Sequence, residues 1–455
     1  MPNSPIAPDG APKSRLTRRS LFGWASALTG LLATRASATP AGAAPPVPAP
    51  PANSAGRTYA EAWRDYLAAL EEARAIIETD PACADPKVRA AALHLPAQLQ
   101  AAAFYMHLAP HKGYPLLNQR HVGEPIGLNW GLPNPDFDYH WAYLDGKRRY
   151  RIHGPRKSVN GFFDMVVFNG YFIDGVKRYF QGSINDFVTA DGGIEIFLGP
   201  KSDGPNHIEL DPGEPHNVIT IREALEDWET DRPTPLRIEC VDPVETRGPF
   251  NYPEADMVAR IDRAAALVRS ATMRSMRDHG LILESTGGKE NVFSVNDKIT
   301  PLRANNNAHP DNKTAQCIYN IPRGQALILE APMPKSVVYW GIQLGDLWWQ
   351  STDYIWHQTS LNRKNAYFGA DDVFRAVVSH EDPGIQNWLD PVDNDRGRVS
   401  LRYYKASDVP QPQARLVPSG DVRKHLPPGT PRFTPEQRRK QLAARTDAGL
   451  RRFGY

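Results

Sequence analysis

The sequence predicts a mainly β protein with two antiparallel β-sandwich or jelly-roll-like regions and with N-terminal, middle and C-terminal helices. The 455 residues include 42 prolines and 34 glycines spread along the chain, and this composition favours many short elements joined by turns. From Asn129 onward, large apolar residues alternate with polar or small ones, which is the period of a half-buried strand. Strands and helices do not alternate regularly, so a doubly wound parallel sheet is not expected.

The first 38 residues have the layout of a bacterial twin-arginine export signal. Arg18 and Arg19 precede an apolar run from Leu21 to Leu32, and Ala36-Ser37-Ala38 offers small residues to a signal peptidase. The run is too short and too rich in Ala, Gly and Thr to span a bilayer stably. We therefore predict a signal peptide at 1–38, export by the twin-arginine machinery, a periplasmic or secreted location and no stable membrane span in the mature form. The alternatives are an uncleaved anchor or a tail with chance arginines.

Charge and cysteine content exclude some classes of protein. The chain has 53 basic and 51 acidic residues, and residues 1–38 contain five of the basic and one of the acidic residues. The rest of the chain has 48 basic and 50 acidic residues, which gives a formal charge of about −2. Nothing therefore indicates a nucleic-acid partner. Cys83, Cys240 and Cys317 are far apart and odd in number, which predicts neither a disulfide framework nor a metal site.

Composition and periodicity divide the rest of the chain into segments. The predicted segments are a Pro/Ala-rich linker at 39–56, an N-terminal helical region at 57–128, a first β region at 129–250, a bridging helix at 251–285, a second β region at 286–408, and a C-terminal tail with a basic helix at 409–455. Thr58 and Glu61 have the spacing of a capping box at a helix start. Asp85 followed by Pro86 starts a second helix, with Asp as the cap and Pro in the first turn.

Two further helices are predicted after the first β region. The bridging helix follows Pro253, and Gly280 is the expected stop. The last helix begins at Thr434, and a solvated face with its stem packed on the domain is favoured over a membrane-surface helix. Its six basic residues are Arg438, Arg439, Lys440, Arg445, Arg451 and Arg452.

The densest group of aromatic and polar residues lies between Trp340 and Asp390, which we call the aromatic stretch. Five of the ten tryptophans fall here, beside Asp, His, Ser and Asn side chains. Flat apolar surfaces with a few hydrogen-bonding groups are the composition of a ligand cleft. We therefore predict that part of this stretch lines a pocket for a small molecule or a glycan.

The catalytic candidates in this pocket are Asp346, Asp353 and His357. Two carboxylates flank the bond that is broken in glycan hydrolysis, and a histidine can shuttle protons at neutral pH. The ligand-binding candidates are Trp348, Trp349, Tyr354, Trp356, Asn362, Asn387 and Arg402. A structural interpretation stays open, because tryptophans near a sheet mostly pack in the core and short polar side chains often cap turns or brace loops.

No metal or cofactor is predicted. Asp390, Asp393 and Asp395 resemble a calcium loop, but their spacing is not that of an EF-hand, and a polar turn is the alternative. His107 and His111 lie four apart, but a proline between them ends the helix that would present both. The chain has no Gly-x-Ser-x-Gly, His-Glu-x-x-His, phosphate-loop or dinucleotide-binding motif, which disfavours the corresponding enzyme classes.

Several motifs together resemble one bacterial family. Asp382-Pro383-Gly384, Asn387-Trp388-Leu389-Asp390, an earlier Asn134–Tyr139 segment and Asp227-Trp228 are similar to motifs of the family called domain of unknown function 1214. The resemblance spans about 129–404. It implies an all-β core of the sandwich or jelly-roll type, and it implies no reaction.

Three functions from different classes follow from these observations. The first is an exported hydrolase or lyase that acts on a glycan or another ring-containing compound. The second is a non-catalytic ligand-binding protein of the cell envelope, which predicts aromatic faces without convergent carboxylates. The third is a structural partner in an envelope assembly, which predicts that Trp348, Trp349 and Trp356 form an exposed patch.

Overall fold

The structure is a computed structural model that describes residues 56–118, 128–170, 177–201, 204–214, 216–244, 252–295 and 311–454. All of them belong to one compact unit of the chain. The predicted signal peptide and the linker up to residue 55 lie outside the described residues, so both stay predictions.

The first β region is a sandwich of two four-stranded sheets. Its strands are β1 (Phe137–Leu144), β2 (Tyr150–Gly154), β3 (Phe163–Phe168), β4 (Arg178–Ser183), β5 (Ile194–Gly199), β6 (His207–Glu209), β7 (Asn217–Ala224) and β8 (Arg237–Cys240). One sheet has the order β1-β7-β3-β4 and the other β6-β5-β2-β8, and only the β5–β6 pair is parallel among the described strands of this region. Ile152, Met165 and Ile219 lie in the apolar core that both sheets enclose.

The second β region repeats this architecture. Its strands are β9 (Phe293–Val295), β10 (Asn312–Asn320), β11 (Gln325–Pro332), β12 (Tyr339–Gly345), β13 (Ser360–Asn362), β14 (Val373–Ser379), β15 (Trp388–Leu389), β16 (Arg396–Tyr404) and β17 (Gln413–Pro418). The sheets have the orders β13-β12-β16-β10-β9 and β15-β14-β11-β17. Leu327, Trp340 and Leu401 lie in the core between them. The prediction of a mainly β protein with sandwich-like regions and helices is confirmed.

Three helices pack where the two β regions meet. They are α1 (Tyr59–Thr79), α2 (Pro86–Ala103) and α3 (Glu254–Ser285). Thr58 and Glu61 form the predicted capping box of α1, and the Asp85 side chain caps α2. Ala69, Leu99 and Val268 from these helices share one apolar cluster with Trp141 of β1 and Tyr339 of β12. In the described part of the chain, no helix is long and apolar enough to cross a membrane.

The expected stop of α3 at Gly280 is wrong. The helix continues to Ser285, because Ile282 beyond the glycine is completely buried. Gly287 and Gly288 supply the termination instead, with φ values of 67° and 77° in the left-handed region that glycine adopts without steric cost.

The C-terminal helix α4 (Pro435–Phe453) is held to the protein by arginines, so it is more than a solvated basic face. Arg438 is buried and donates to Asp382 Oδ2 at 2.9 Å. Arg445 donates to the Tyr354 carbonyl at 2.7 Å, and Arg452 donates to the Pro135 carbonyl at 2.6 Å. Guanidinium groups are well suited to such buried, multiply hydrogen-bonded positions. These contacts place α4 beside both β regions.

Candidate functional site

Asp346 lies in a tight turn after β12. One carboxyl oxygen, Oδ1, accepts hydrogen bonds from the backbone N–H groups of Trp348 at 2.8 Å and Gln350 at 3.0 Å. The other, Oδ2, accepts from the Gln350 side-chain amide at 2.6 Å. Burial raises the pKa of Asp346 to about 6 against the opposing effect of these bonds. Both carboxyl oxygens of Asp346 are therefore already hydrogen-bonded to residues of the same turn.

Asp353 and His357 are held in the next loop. Oδ1 of Asp353 accepts from the backbone N–H groups of Ile355 at 3.0 Å and Trp356 at 3.2 Å, which is the arrangement of a side chain that caps a turn. His357 Nδ1 lies 2.8 Å from Asp390 Oδ2. Neither side chain lines the two large clefts described below.

The aromatic candidates take different environments. Trp348 is fully buried and donates its indole N–H to the Val88 carbonyl of α2 at 2.9 Å. Trp349, with φ of 67°, is partly buried against Trp130. Tyr354 is also buried, whereas Trp356 is 44% exposed. The three tryptophans therefore do not form one exposed patch.

The polar candidates mainly brace the backbone. The Asn362 amide donates to the Glu226 carbonyl at 2.9 Å. Asn387 donates to the Tyr367 and Arg375 carbonyls, each at 2.7 Å, which leaves no N–H of its amide free. Arg402 is buried and binds the Leu132 carbonyl. Hydrogen bonds of this kind satisfy buried carbonyls that would otherwise lose solvation.

The aspartates of the calcium-like loop face basic side chains. Asp393 pairs with Arg323, and Asp395 lies 3.3 Å from Lys87 and 3.1 Å from His380. Across the described residues, no group of three or more His, Cys, Asp or Glu side chains has an arrangement that could hold a metal ion. This loop is a network of ion pairs in the structure.

A cleft of ≈ 330 Å³ lies between the two β regions and α4, and we call it the inter-region cleft. One wall is the segment that leaves β7, a second is the chain around β13, and a third is one face of α4 whose members repeat with helical spacing. Its lining residues are Glu226, Asp227, Trp228, Glu229, Gln358, Lys364, Asn365, Gln441, Ala444, Arg445 and Ala448. Its volume is within the range of small-molecule sites, about 300–1,000 Å³.

Glu226 is the distinctive ionisable group of this cleft. Burial raises the pKa of its carboxyl to about 7, with Arg363 opposing and Asp136 adding to the shift. Its Oε2 atom is buried and has no hydrogen-bond donor among the described residues. At neutral pH both the protonated and the ionised forms are therefore populated, which is the condition for donating or accepting a proton.

Trp228 forms the aromatic wall. Its indole N–H donates to Asp136 Oδ1 at 2.9 Å, and the guanidinium of Arg445 lies over its ring at 4.4 Å from the centroid. Tyr354 meets the same ring edge-on at a centroid distance of 6.2 Å. Burial lowers the pKa of Arg445 to about 10, which leaves it charged at neutral pH. The Trp228 indole is thus held by the hydrogen bond at its N–H, by the Arg445 guanidinium over its ring and by the edge-on contact with Tyr354.

A second carboxyl, Asp227, lies next to Glu226 but titrates differently. Burial acts to raise its pKa, but hydrogen bonds from Thr230 and Glu229 outweigh burial and hold the pKa below its usual value. Two adjacent carboxyls whose pKa values are pushed apart can occupy opposite protonation states at one pH, as acid–base pairs do.

A larger cleft of ≈ 390 Å³ lies beside β14 and the 426–431 segment, and we call it the apolar cleft. Its charged side chains neutralise one another: Arg375 binds both carboxyl oxygens of Asp371, at 3.0 and 2.7 Å, and Glu330 at 2.7 Å. The hydrogen bonds from Arg375 lower the pKa of Asp371 to about 2. Asn387, which also lines it, is bonded to backbone. The charged groups and the Asn387 amide of this cleft are therefore already bonded within the protein.

The structure places part of the aromatic stretch at the inter-region cleft. Gln358 lines it, Tyr354 backs the indole wall, and Asn362 holds the Glu226 carbonyl. Glu226 and Gln441 were not predicted from the sequence. The sequence features that could have indicated Glu226 and Gln441 are the position of Glu226 beside the Asp227-Trp228 motif and one face of α4. On that face, small and polar residues recur at positions 441, 444, 445 and 448.

Comparisons with known proteins support the fold alone. No protein-family model matches the chain, and no curated protein matches it. The chain is similar to the crystal structure of an uncharacterized protein from Burkholderia cenocepacia, with a TM-score of 0.70 and 23% identity over 79% of this chain and 97% of that chain. A structure from Vibrio parahaemolyticus aligns over 70% of this chain and 96% of that chain at 10% identity, with a TM-score of 0.39. The first similarity shows that the fold of this chain also occurs in that Burkholderia cenocepacia protein.

Proposed function

We propose that this protein is exported and binds a small, polar, ring-containing compound, such as a sugar unit of a glycan, in the inter-region cleft. The observation that carries the proposal is the meeting of an indole wall, side-chain amides and a carboxyl of pKa about 7 around one cleft of ≈ 330 Å³. Ligand sites combine aromatic surface with a few placed polar groups in this way.

The polar lining favours a neutral hydroxylated ligand. Gln358, Asn365 and Gln441 contribute side-chain amides to the lining. Both N–H groups of Gln358 already donate to the Gln386 and Trp388 carbonyls, so its amide offers a ligand only the acceptor oxygen. The side-chain oxygens of Asn365 and Gln441 accept from the Asn362 backbone N–H and from Arg438, and their NH₂ groups can donate to a ligand. A hydroxyl group is both a donor and an acceptor, so it can pair with either end of an amide. Lys364 and Arg445 are balanced by acidic side chains in the same lining, so a strongly charged ligand has no net electrostatic advantage.

Export and family membership are parts of the same proposal. The twin-arginine layout of residues 1–38 supports a periplasmic or secreted location, where envelope glycans are available. Membership of the domain of unknown function 1214 family is supported by the Asp227-Trp228 and Asn387–Asp390 motifs.

A second candidate function is catalysis in the same cleft, as a hydrolase or lyase. Glu226 favours it, because a carboxylic acid that is partly protonated at pH 7 can protonate a leaving group while the ionised Asp227 accepts a proton or stabilises positive charge. An assembly role has less support. It calls for an exposed patch of Trp348, Trp349 and Trp356, and Trp348 is fully buried.

A pair of bulky substitutions on α4 tests binding. Ala444 lines the cleft, and Ala443, its neighbour, is exposed outside it. We expect saccharides from envelope glycans to raise the melting temperature of the full-length protein by mass action. Ala444→Phe should fill the cleft and lower affinity at least about tenfold, whereas Ala443→Phe should not. Equal responses of both variants, or no response of the wild type to any saccharide, would reject the proposal.

Turnover separates the two candidate functions. Glu226→Gln keeps the shape of the side chain and removes its proton exchange. If the protein is an enzyme, a bound saccharide is converted by the wild type and conversion falls about 10²–10⁴-fold in Glu226→Gln with binding retained. A ligand that binds but is never converted would reject the enzyme function and retain the binding function.

A further inference from the structure

A third and smaller cavity lies between the helices and the first β region, and it is rich in basic side chains. It is enclosed by the turn that follows α2, by the start of α3 and by the approach to β7, and its volume is ≈ 70 Å³. We call it the basic cavity, and it is lined in part by His107, Lys112, His216, Arg260 and Arg263. Because one water needs at least about 10–15 Å³ of such space, the cavity can hold a group of several heavy atoms.

Two imidazoles in the basic cavity have unused hydrogen-bonding atoms. His107 and His216 are 4% and 5% exposed, and their ring centroids are 5.0 Å apart. No described residue is a hydrogen-bond partner of His107 Nδ1 or His216 Nε2. Buried polar atoms in native proteins are almost always paired with protein, water or a ligand, so these two atoms point to an occupant of the cavity.

The charges around the cavity leave one cation without a close counter-charge. Arg260 pairs with Asp256 at 2.8 Å, and Arg263 pairs with Glu214 at 2.9 Å. Lys112 has no carboxylate within ion-pair distance among the described residues. Asp145 and Asp256, of which Asp256 also lines the cavity, act on it only at longer range. Such a site favours a negative occupant over water alone.

The ionisation of these groups agrees with that conclusion. Burial lowers the pKa of His107 to about 3 and that of His216 well below its usual value, with neighbouring cations adding to both shifts. Burial, followed by Arg260, lowers the pKa of Lys112 to about 8. The imidazoles are therefore neutral at pH 7, and each offers one N–H, while the lysine carries most of its charge.

We infer that the basic cavity is a binding site for a small oxyanion, a carboxylate or a phosphate group, held by the Lys112 ammonium, the Arg263 guanidinium and the imidazoles of His107 and His216. Charge-assisted hydrogen bonds to oxyanions are among the strong polar contacts of proteins. The site joins the α2–α3 layer to the first β region, so an occupant stabilises that junction. It is separate from the inter-region cleft and independent of the proposed function.

The test uses inorganic phosphate and acetate as probes of the full-length protein, at low millimolar concentration and with ionic strength held constant by sodium chloride. Ligand that binds only the native state raises the melting temperature with concentration. One or both probes should raise it, and whichever acts identifies the oxyanion. Line broadening of the phosphate ³¹P or the acetate methyl ¹H NMR signal gives a second measurement.

Two pairs of variants assign the site. Lys112→Met removes the charge with little change in length, and Lys335→Met is the matched control at an exposed lysine. Ala259→Leu fills the cavity from α3, and Ala255→Leu is its exposed control on the same helix. We expect affinity to fall at least about tenfold in Lys112→Met and in Ala259→Leu and to persist in both controls.

Two results would overturn the inference of an oxyanion site in the basic cavity. No response of the wild type to either probe would overturn the inference. A response of equal size in Lys112→Met and Ala259→Leu would also overturn it, because excluded salts stabilise proteins without a site. If one of the two site variants does not fold, the other decides together with its control.

Discussion

The turn at Asp346 and the cleft at Glu226 each contain a carboxyl whose pKa is raised by burial, yet they differ in what the carboxyl can still do. Asp346 accepts three hydrogen bonds within its own turn. Glu226 lines a cleft and keeps a buried oxygen without a donor in the described part of the chain. A perturbed pKa therefore marks a candidate site only where the group is also available to a ligand.

The difference extends to the support beneath each carboxyl. The Asp346 turn is fixed from below by Arg398, which is fully buried and donates to the Asp346 and Leu347 carbonyls at 3.2 Å each and to Asp278 Oδ2 at 2.6 Å. Glu226 is supported through its backbone, by the Asn362 amide at 2.9 Å, so its side chain is not part of the bracing. The comparison predicts that damage at the turn affects stability and that changes at the cleft affect ligand binding.

The largest expected effect is that of Arg398→Met. The substitution removes the Arg398 guanidinium from buried Asp278, while Arg274 stays 3.7 Å from the other carboxyl oxygen, and it also removes two donors from the turn. This change should lower the free energy of unfolding by about 3–5 kcal/mol. Urea unfolding of the full-length protein measures this loss. A change below about 1 kcal/mol would contradict the assignment of this turn as a rigid support.

A smaller loss is expected for Asp346→Asn. An amide can replace the oxygen that accepts the Trp348 and Gln350 backbone N–H groups, but its NH₂ would face the Gln350 NH₂ group. We expect a loss of about 1–3 kcal/mol in the free energy of unfolding. Calorimetric affinity for a saccharide should stay within about twofold of the wild type. If Asp346→Asn lost affinity for the saccharide without losing stability, Asp346 would belong to the ligand site and the structural role given to its turn would be wrong.

The smallest expected effect is the pH dependence contributed by Glu226. In the unfolded chain a glutamate ionises near its usual pKa of about 4.5, whereas in the folded protein Glu226 ionises near 7. The folded state therefore binds the extra proton between these values, and stability falls as pH rises from about 4.5 to about 7. Glu226→Gln lacks this loss and should be more stable than the wild type by about 1–2 kcal/mol at pH 8, after allowance for solvent screening.

Unfolding experiments at pH 4.5 and pH 8 measure that prediction. The stability difference between Glu226→Gln and the wild type should be larger at pH 8. Glu229→Gln is a suitable control, because Glu229 is exposed beside the same cleft. The same difference at both pH values would mean that the Glu226 pKa is not raised.

The sequence was sufficient for the fold class and for several local features. Pattern and turn composition predicted the two β regions, and the spacing of Thr58 and Glu61 predicted the start of α1. The stop of α3 was missed because burial of Ile282 overrides the weak helix propensity of Gly280. The local sequence therefore did not predict the end of α3, because that end is determined by the packing of Ile282 against the rest of the protein.

The candidate site was harder to predict, because its walls are distant in sequence. Glu226, Gln358 and Gln441 meet only when the two β regions and α4 pack together. Trp348 has the same composition signal as a ligand-binding tryptophan, but it points to the Val88 carbonyl of α2. Residue type and spacing within one stretch carry no information on which neighbour another segment will supply.

The most direct test of the contrast between turn and cleft is a ¹³C NMR titration of carboxyl groups in the full-length protein, with signals assigned by comparison with Glu226→Gln and Asp346→Asn. We predict that Glu226 titrates near pH 7 and Asp346 near pH 6, and that a saturating saccharide moves the midpoint of Glu226 and leaves that of Asp346 unchanged. A Glu226 midpoint near 4.5, or a ligand-dependent shift of Asp346 alone, would contradict the central claim.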